Sequence, residues 1–155
     1  MYRNILTATD GSMLAQTGVR AAAGLAKALD AKLTIVTVTL PFHVISTDPM
    51  MISDTEPRYR EDMSKLAARH LLEAEDAARA QGVTPALMHE EAESPADAIV
   101  RVADERGCDL VVMSSHGRSG LAGLLIGSET RKVLATSAVP VLVCRAPEPA
   151  ATCGR

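Results

Sequence analysis

The residues able to do chemistry cluster in two places. The larger group is Gly117, Gly120, Gly123, Gly127 and Ser128, following the apolar run Val111-Val112-Met113. A buried strand that empties into a glycine-rich loop, with a helix start behind it, is a layout suited to phosphate. Backbone N–H groups and the positive end of the helix dipole converge on an anion there. The smaller group is Asp10-Gly11-Ser12 at the end of the first apolar run. A carboxylate at that position suits a ribose hydroxyl or a Mg²⁺ ion bridging phosphates, or it serves only to shape its turn. Ser128 either contacts a ligand or merely caps its helix, and Arg118 either faces a phosphate or is solvated. His116 is read as a loop residue.

The spacing excludes several familiar sites. No Gly-Lys-Ser/Thr follows the loop, and no G-x-G-x-x-G is present. Ser119 does not sit in G-x-S-x-G, so a hydrolase nucleophile is not expected. The chain has 155 residues, a net charge of −3 and 2% aromatic residues. It therefore lacks both the basic surface and the stacking platforms of nucleic-acid binders. No apolar run approaches the ~20 residues of a membrane span. With no secretory leader pattern after Met1, the expected location is the cytoplasm. Cys108 and Cys144 lie at apolar runs and read as small core residues, and Cys153 reads as exposed in a loose tail.

The elements that must position these groups alternate. Strands are expected at Ile5–Thr9, Leu33–Thr39, Val83–His89, Asp109–Met113 and Pro140–Cys144. Helices are expected from Ser12 to about Leu29, Arg58 to Gln81, Ser94 to about Arg106, and Gly127-Ser128 to about Ser137. Ser12 and Ser94 read as N-caps, with Pro95 at the first helical position. His70 lies beside the apolar stripe of its helix and reads as a half-buried structural residue. Residues 41–57, with Pro41, Pro49 and Pro57, read as an irregular loop: a lid or partner surface, or a disordered crossover.

This β-α-β-α-β-α-β-α-β order predicts an α/β fold: a single open five-stranded parallel sheet with helices on both faces. A Rossmann-like, flavodoxin-like strand order of 3-2-1-4-5 sets the ends of the first and fourth strands side by side, where such sheets take ligands. One domain over 1–146, followed by a flexible tail over 147–155, is expected.

Taken together, Ile5 to Ser12, Val111 to Ser128 and Pro140-Val141-Leu142-Val143 resemble the universal stress protein family over nearly the whole chain. ATP-binding members carry Gly-x2-Gly-x9-Gly-Ser/Thr. Here Gly117 and Gly127-Ser128 fit that pattern, and Ser114 stands where the first glycine belongs. The resemblance implies a stress-response regulator that binds ATP with Mg²⁺ and hydrolyses it slowly at most, rather than an enzyme. The implied nucleotide contacts are Ala8, Thr9, Asp10, Val38 (against adenine), Met113, Ser114, His116, Gly117, Arg118, Gly120, Gly127, Ser128 and Glu129, with Asp10 also serving Mg²⁺. It further implies a homodimer through the edge strand Pro140 to Cys144. The alternative is a dimeric interaction module of the same fold that does not hold ATP tightly.

Overall fold

The computed structural model describes residues 1–43, 49–115 and 127–145, and side chains within these except for residues 49–54. Five strands and four helices alternate: β1 (Asn4–Ala8), α1 (Met13–Leu29), β2 (Lys32–Thr39), α2 (Pro49–Arg79), β3 (Ala86–Glu91), α3 (Pro95–Glu105), β4 (Leu110–Ser115), α4 (Ser128–Thr136) and β5 (Val141–Arg145). All pairings are parallel and the strand order is β3-β2-β1-β4-β5, as the alternation predicts.

The central strands are buried because both faces are covered. On one face Ile5, Leu33, Ile35, Leu110 and Val112 meet Val19, Ala22 and Ala26 of α1 and Leu71, Ala74 and Ala78 of α2. On the other, Leu6, Val36, Val111 and Met113 meet Ile99, Val102 and Ala103 of α3 and Val133 of α4. This division follows from the two-residue repeat of each strand. Small residues set the distance between layers. A Cβ on Gly18 of α1 would lie 3.2 Å from the backbone nitrogen of Ser114, so the absence of a side chain lets α1 rest directly on the end of β4.

Serines start the helices where expected. Ser12 Oγ accepts from Ala15 N at 3.1 Å and Ser94 Oγ accepts from Asp97 N at 3.4 Å. At the opposite end of the sheet, Asp109 accepts from the backbone N–H groups of Arg3 (2.8 Å) and Asn4 (3.0 Å). Asn4 Nδ2 in turn donates to the carbonyls of Arg106 and Gly107, so the turn before β4 is tied to the start of β1.

One expectation is corrected. The irregular loop assigned to 41–57 is helical from Pro49 onward, because α2 spans Pro49–Arg79 with Pro57 inside it. Proline is well placed at the first position of a helix, where its missing N–H has no intrahelical acceptor. An interior proline such as Pro57 costs a hydrogen bond and crowds the preceding turn. The helix continues through it nonetheless. Tyr59 just beyond is anchored, its hydroxyl donating to Leu40 O at 3.0 Å and its ring lying 5.5 Å from Phe42. Smaller differences lie at element ends: β3 begins at Ala86, later than the Val83 expected from hydropathy, and ends at Glu91. None of the described helices is long and apolar enough to cross a membrane. The rest of the expected loop, residues 44–48, and the expected tail, 147–155, lie outside the described residues.

Candidate functional site

The ends of β1 and β4 open onto a cavity of about 470 Å³. This lies within the roughly 300–1,000 Å³ of small-molecule sites. Every candidate residue that is described lines it: Ala8, Thr9, Asp10, Val38, Met113, Ser114, Gly127, Ser128 and Glu129. His116, Gly117, Arg118 and Gly120 lie outside the described residues.

The β1 side is rigid because its polar groups are consumed in holding the turn. Thr7 Oγ1 donates to Val112 O at 2.9 Å, locking β1 to β4 inside the core. Thr37 Oγ1 donates to Thr9 O at 2.8 Å, and Thr9 Oγ1 accepts from Gly11 N at 3.2 Å. Gly11 then adopts φ +76°, a left-handed conformation that glycine takes without penalty. Its bare Cα is also sterically required. A Cβ there would run into the imidazole of His70, which lies half-buried across the turn from α2. His70 is half-buried, as expected beside the apolar stripe, and Gly11 is a neighbour it covers.

Asp10 is thereby presented at the cavity mouth with its carboxylate oriented. Its Oδ1 accepts from Ser12 N at 3.0 Å. Burial pushes the Asp10 carboxyl up, but hydrogen bonds from the Ser12 hydroxyl and backbone outweigh it. With a smaller electrostatic contribution from His70, they hold the acid below its usual 3.8. The group is ionised at neutral pH and able to accept from a hydroxyl or to meet a cation.

The β4 side is built differently. Thr130 Oγ1 donates to Ser114 O at 3.1 Å, drawing the first turn of α4 onto the strand end. The N-cap of α4 is Gly127, and among the described residues no side chain caps this helix. Ser128 is the first helical residue and exposed, so the simple capping role open to it from the sequence is not the one it plays. By contrast α1 and α3 are capped by Ser12 and Ser94. Glu129 reaches across to α3: its Oε2 accepts from Ala96 N at 3.0 Å, and its Oε1 pairs with Lys132 Nζ at 2.9 Å. Met113 and Val38 supply apolar wall, as does Ile99 from α3. The cavity thus pairs an apolar side with a helix start and the carboxylates of Asp10 and Glu129. That combination suits a ligand with a flat apolar ring, hydroxyls and phosphate.

Ser12, Leu14, Ala15, Pro95, Ile99 and Thr130 also line it and were not foreseen as site residues. Ser12 and Pro95 are legible as helix starts, and helix starts after β1 and β3 emerge at this end of the sheet. That topological signal was available. Thr130 left none, since its contact depends on how α4 approaches β4. Among the described residues no group of three or more His, Cys, Asp or Glu side chains gathers to hold a metal. A divalent ion here would be shared between Asp10 and the ligand's own phosphates, which is how Mg²⁺ is commonly held.

Comparison with known proteins agrees with this architecture. The chain is 32% identical over 150 residues to universal stress protein YxiE of Bacillus subtilis, covering 94% of this chain and 100% of that one. It is 31% identical over 149 residues to universal stress protein Rv1636 of Mycobacterium tuberculosis, covering 92% and 95%. Among solved structures it is similar to a universal stress protein in complex with cAMP, with TM-score 0.67 and 30% identity over 94% of this chain and 98% of that one. A universal stress protein from Archaeoglobus fulgidus in complex with dAMP shares the fold, with TM-score 0.60 and 23% identity over 92% and 97%. The model of the universal stress protein family matches residues 1–145, from β1 through β5, and on that match the chain belongs to the universal stress protein family.

Proposed function

We propose that this protein is a cytoplasmic stress-response regulator that binds an adenine nucleotide, ATP with Mg²⁺, in the cavity between the ends of β1 and β4. It turns the nucleotide over slowly at most. The observation that carries the reading is the convergence of residues far apart in sequence on one cavity: Asp10 from the first strand, Val38 from the second, Met113 and Ser114 from the fourth, and Gly127 and Ser128 from the last helix. The two relatives of known structure with cAMP and dAMP support adenine as the base. In this reading Val38 and Ala8 flank the adenine and Thr9 and Asp10 face the ribose. Asp10 also meets Mg²⁺, and the start of α4 with Ser128 receives phosphate. Gly117, Gly120, Arg118 and His116 complete the phosphate loop.

Calorimetric titration of the purified chain with ATP, ADP and AMP tests the reading. Binding should be saturable. Asp10→Ala should weaken it about 10- to 100-fold, the usual cost of losing a hydrogen bond to a charged group. Gly127→Val, which sets a branched side chain at the start of α4, should weaken it as strongly. No binding of any of the three by folded wild-type protein would overturn it.

The second reading is a dimeric interaction module of the same fold that does not hold ATP tightly. It is favoured by Ser114, which lines the cavity where the ATP-binding pattern has glycine. Ser114→Gly separates the two. The nucleotide reading expects at most a modest change from a wild type that already binds, whereas the module reading expects binding to appear only in the variant.

A further inference from the structure

Glu129 occupies a position that the nucleotide reading does not by itself explain. It is the second residue of α4, directly after Ser128. The residue lines the cavity, and its carboxylate lies between the starts of two helices. One oxygen accepts from Ala96 N in the first turn of α3 at 3.0 Å, and the other pairs with Lys132 at 2.9 Å. Among the described residues, the polar contacts of the side chain are these two. A single internal carboxylate therefore occupies the helix end of α3 and adds a negative charge beside that of α4, on the same side of the cavity. With Asp10 it makes two carboxylates among the described lining residues, which include no Lys or Arg.

We propose that Glu129 is a specificity-determining residue: its clasp on Ala96 fixes a negative charge beside the start of α4, and that charge sets how many phosphate charges the cavity accepts. The proposal rests on the nucleotide reading above. An anion at the start of α4 experiences a nearby fixed negative charge, partly offset by Lys132. Each further phosphate charge adds repulsion, so the cavity discriminates against the triphosphate relative to the monophosphate unless Mg²⁺ accompanies it. Lys132 is more than half exposed, so its offset is the component most weakened by salt.

The test is calorimetric titration of the full chain with AMP and ATP in EDTA at low salt, for wild type, Glu129→Gln, Glu129→Asp and Lys132→Gln. Glu129→Gln should raise the ATP-to-AMP affinity ratio by about threefold to tenfold per added phosphate charge. Lys132→Gln should lower the ratio. Both changes should shrink at about 0.5 M salt. Glu129→Asp keeps the charge but shortens the reach to Ala96. It should lower the melting temperature while leaving the ratio near wild type. A purely structural clasp would move AMP and ATP together, or move the ratio in the same direction for Glu129→Gln and Lys132→Gln. Either result overturns the proposal. If only Glu129→Gln binds ATP, the charge barrier is supported. If neither nucleotide binds any of the folded proteins, with or without Mg²⁺, the nucleotide reading fails and this proposal falls with it.

Discussion

At the scale of single residues, two positions carry more than their types suggest. Gly11 combines φ +76° with direct cover by His70. Gly11→Ala should destabilise the fold by about 1–3 kcal/mol through backbone strain alone, with the collision added. Removing the ring in Gly11→Ala/His70→Ala should recover the collision but not the strain, so the double-mutant cycle measured by thermal melting should show clear coupling. Asp109 is the second. Burial pushes its carboxyl up, but the backbone N–H groups of Asn4 and Arg3 outweigh this and hold it below 3.8. Around and below that value the unfolded chain binds more protons than the folded one, so this contribution to stability is complete at neutral pH and lost as pH falls through the depressed value. Asp109→Asn should therefore lower the melting temperature at pH 7 and flatten its further fall on acidification, as melts across pH would show. The placement of Asp10 at the end of β1 was legible because an Asp-Gly pair after a buried apolar run marks a turn. That of His70 over Gly11 was not, because nothing local to α2 signals a glycine on another element.

At the scale of elements, the helix starts dominate. Ser12 and Ser94 were readable because capping is local: a hydroxyl followed by a helical apolar pattern leaves little choice. The start of α2 was not, because Pro41, Pro49 and Pro57 together outweigh a weak helical pattern in a polar stretch. Tertiary contacts of Tyr59 with Leu40 and Phe42 supply what local propensity lacks. Since Pro57 is exposed within the helix, Pro57→Ala restores an N–H and relieves crowding. It should raise stability by up to about 3 kcal/mol, less the flexibility gained by the unfolded chain. A denaturant melt should give a higher midpoint with an unchanged slope.

At the scale of the whole molecule, the open question is what covers β5. It is an edge strand with Leu142 41% exposed, and Leu134 of neighbouring α4 is exposed to the same degree. Apart from Arg145 at its end the strand is apolar, and such an edge is a template for pairing with a second copy across a two-fold axis. We therefore expect a homodimer in solution. Leu142→Arg, which sets like charges facing each other, should shift it to monomer at micromolar concentration in analytical ultracentrifugation without unfolding it. A monomeric wild type would remove this expectation.

The sequence alone determined the order of elements, the parallel sheet and its strand order, because hydrophobic period and right-handed crossovers leave few ways to bury nine alternating segments. It also singled out Asp10 and Gly127-Ser128, since a strand end and a helix start announce themselves locally. Only the tertiary structure decided what stands beside them. Thr130 reaches the carbonyl of Ser114, Gly18 lets α1 touch β4, His70 covers Gly11, and Glu129 turns away to the start of α3. Each of these is a contact between elements, set by how layers approach. No residue's own type or its sequence neighbours encode that distance.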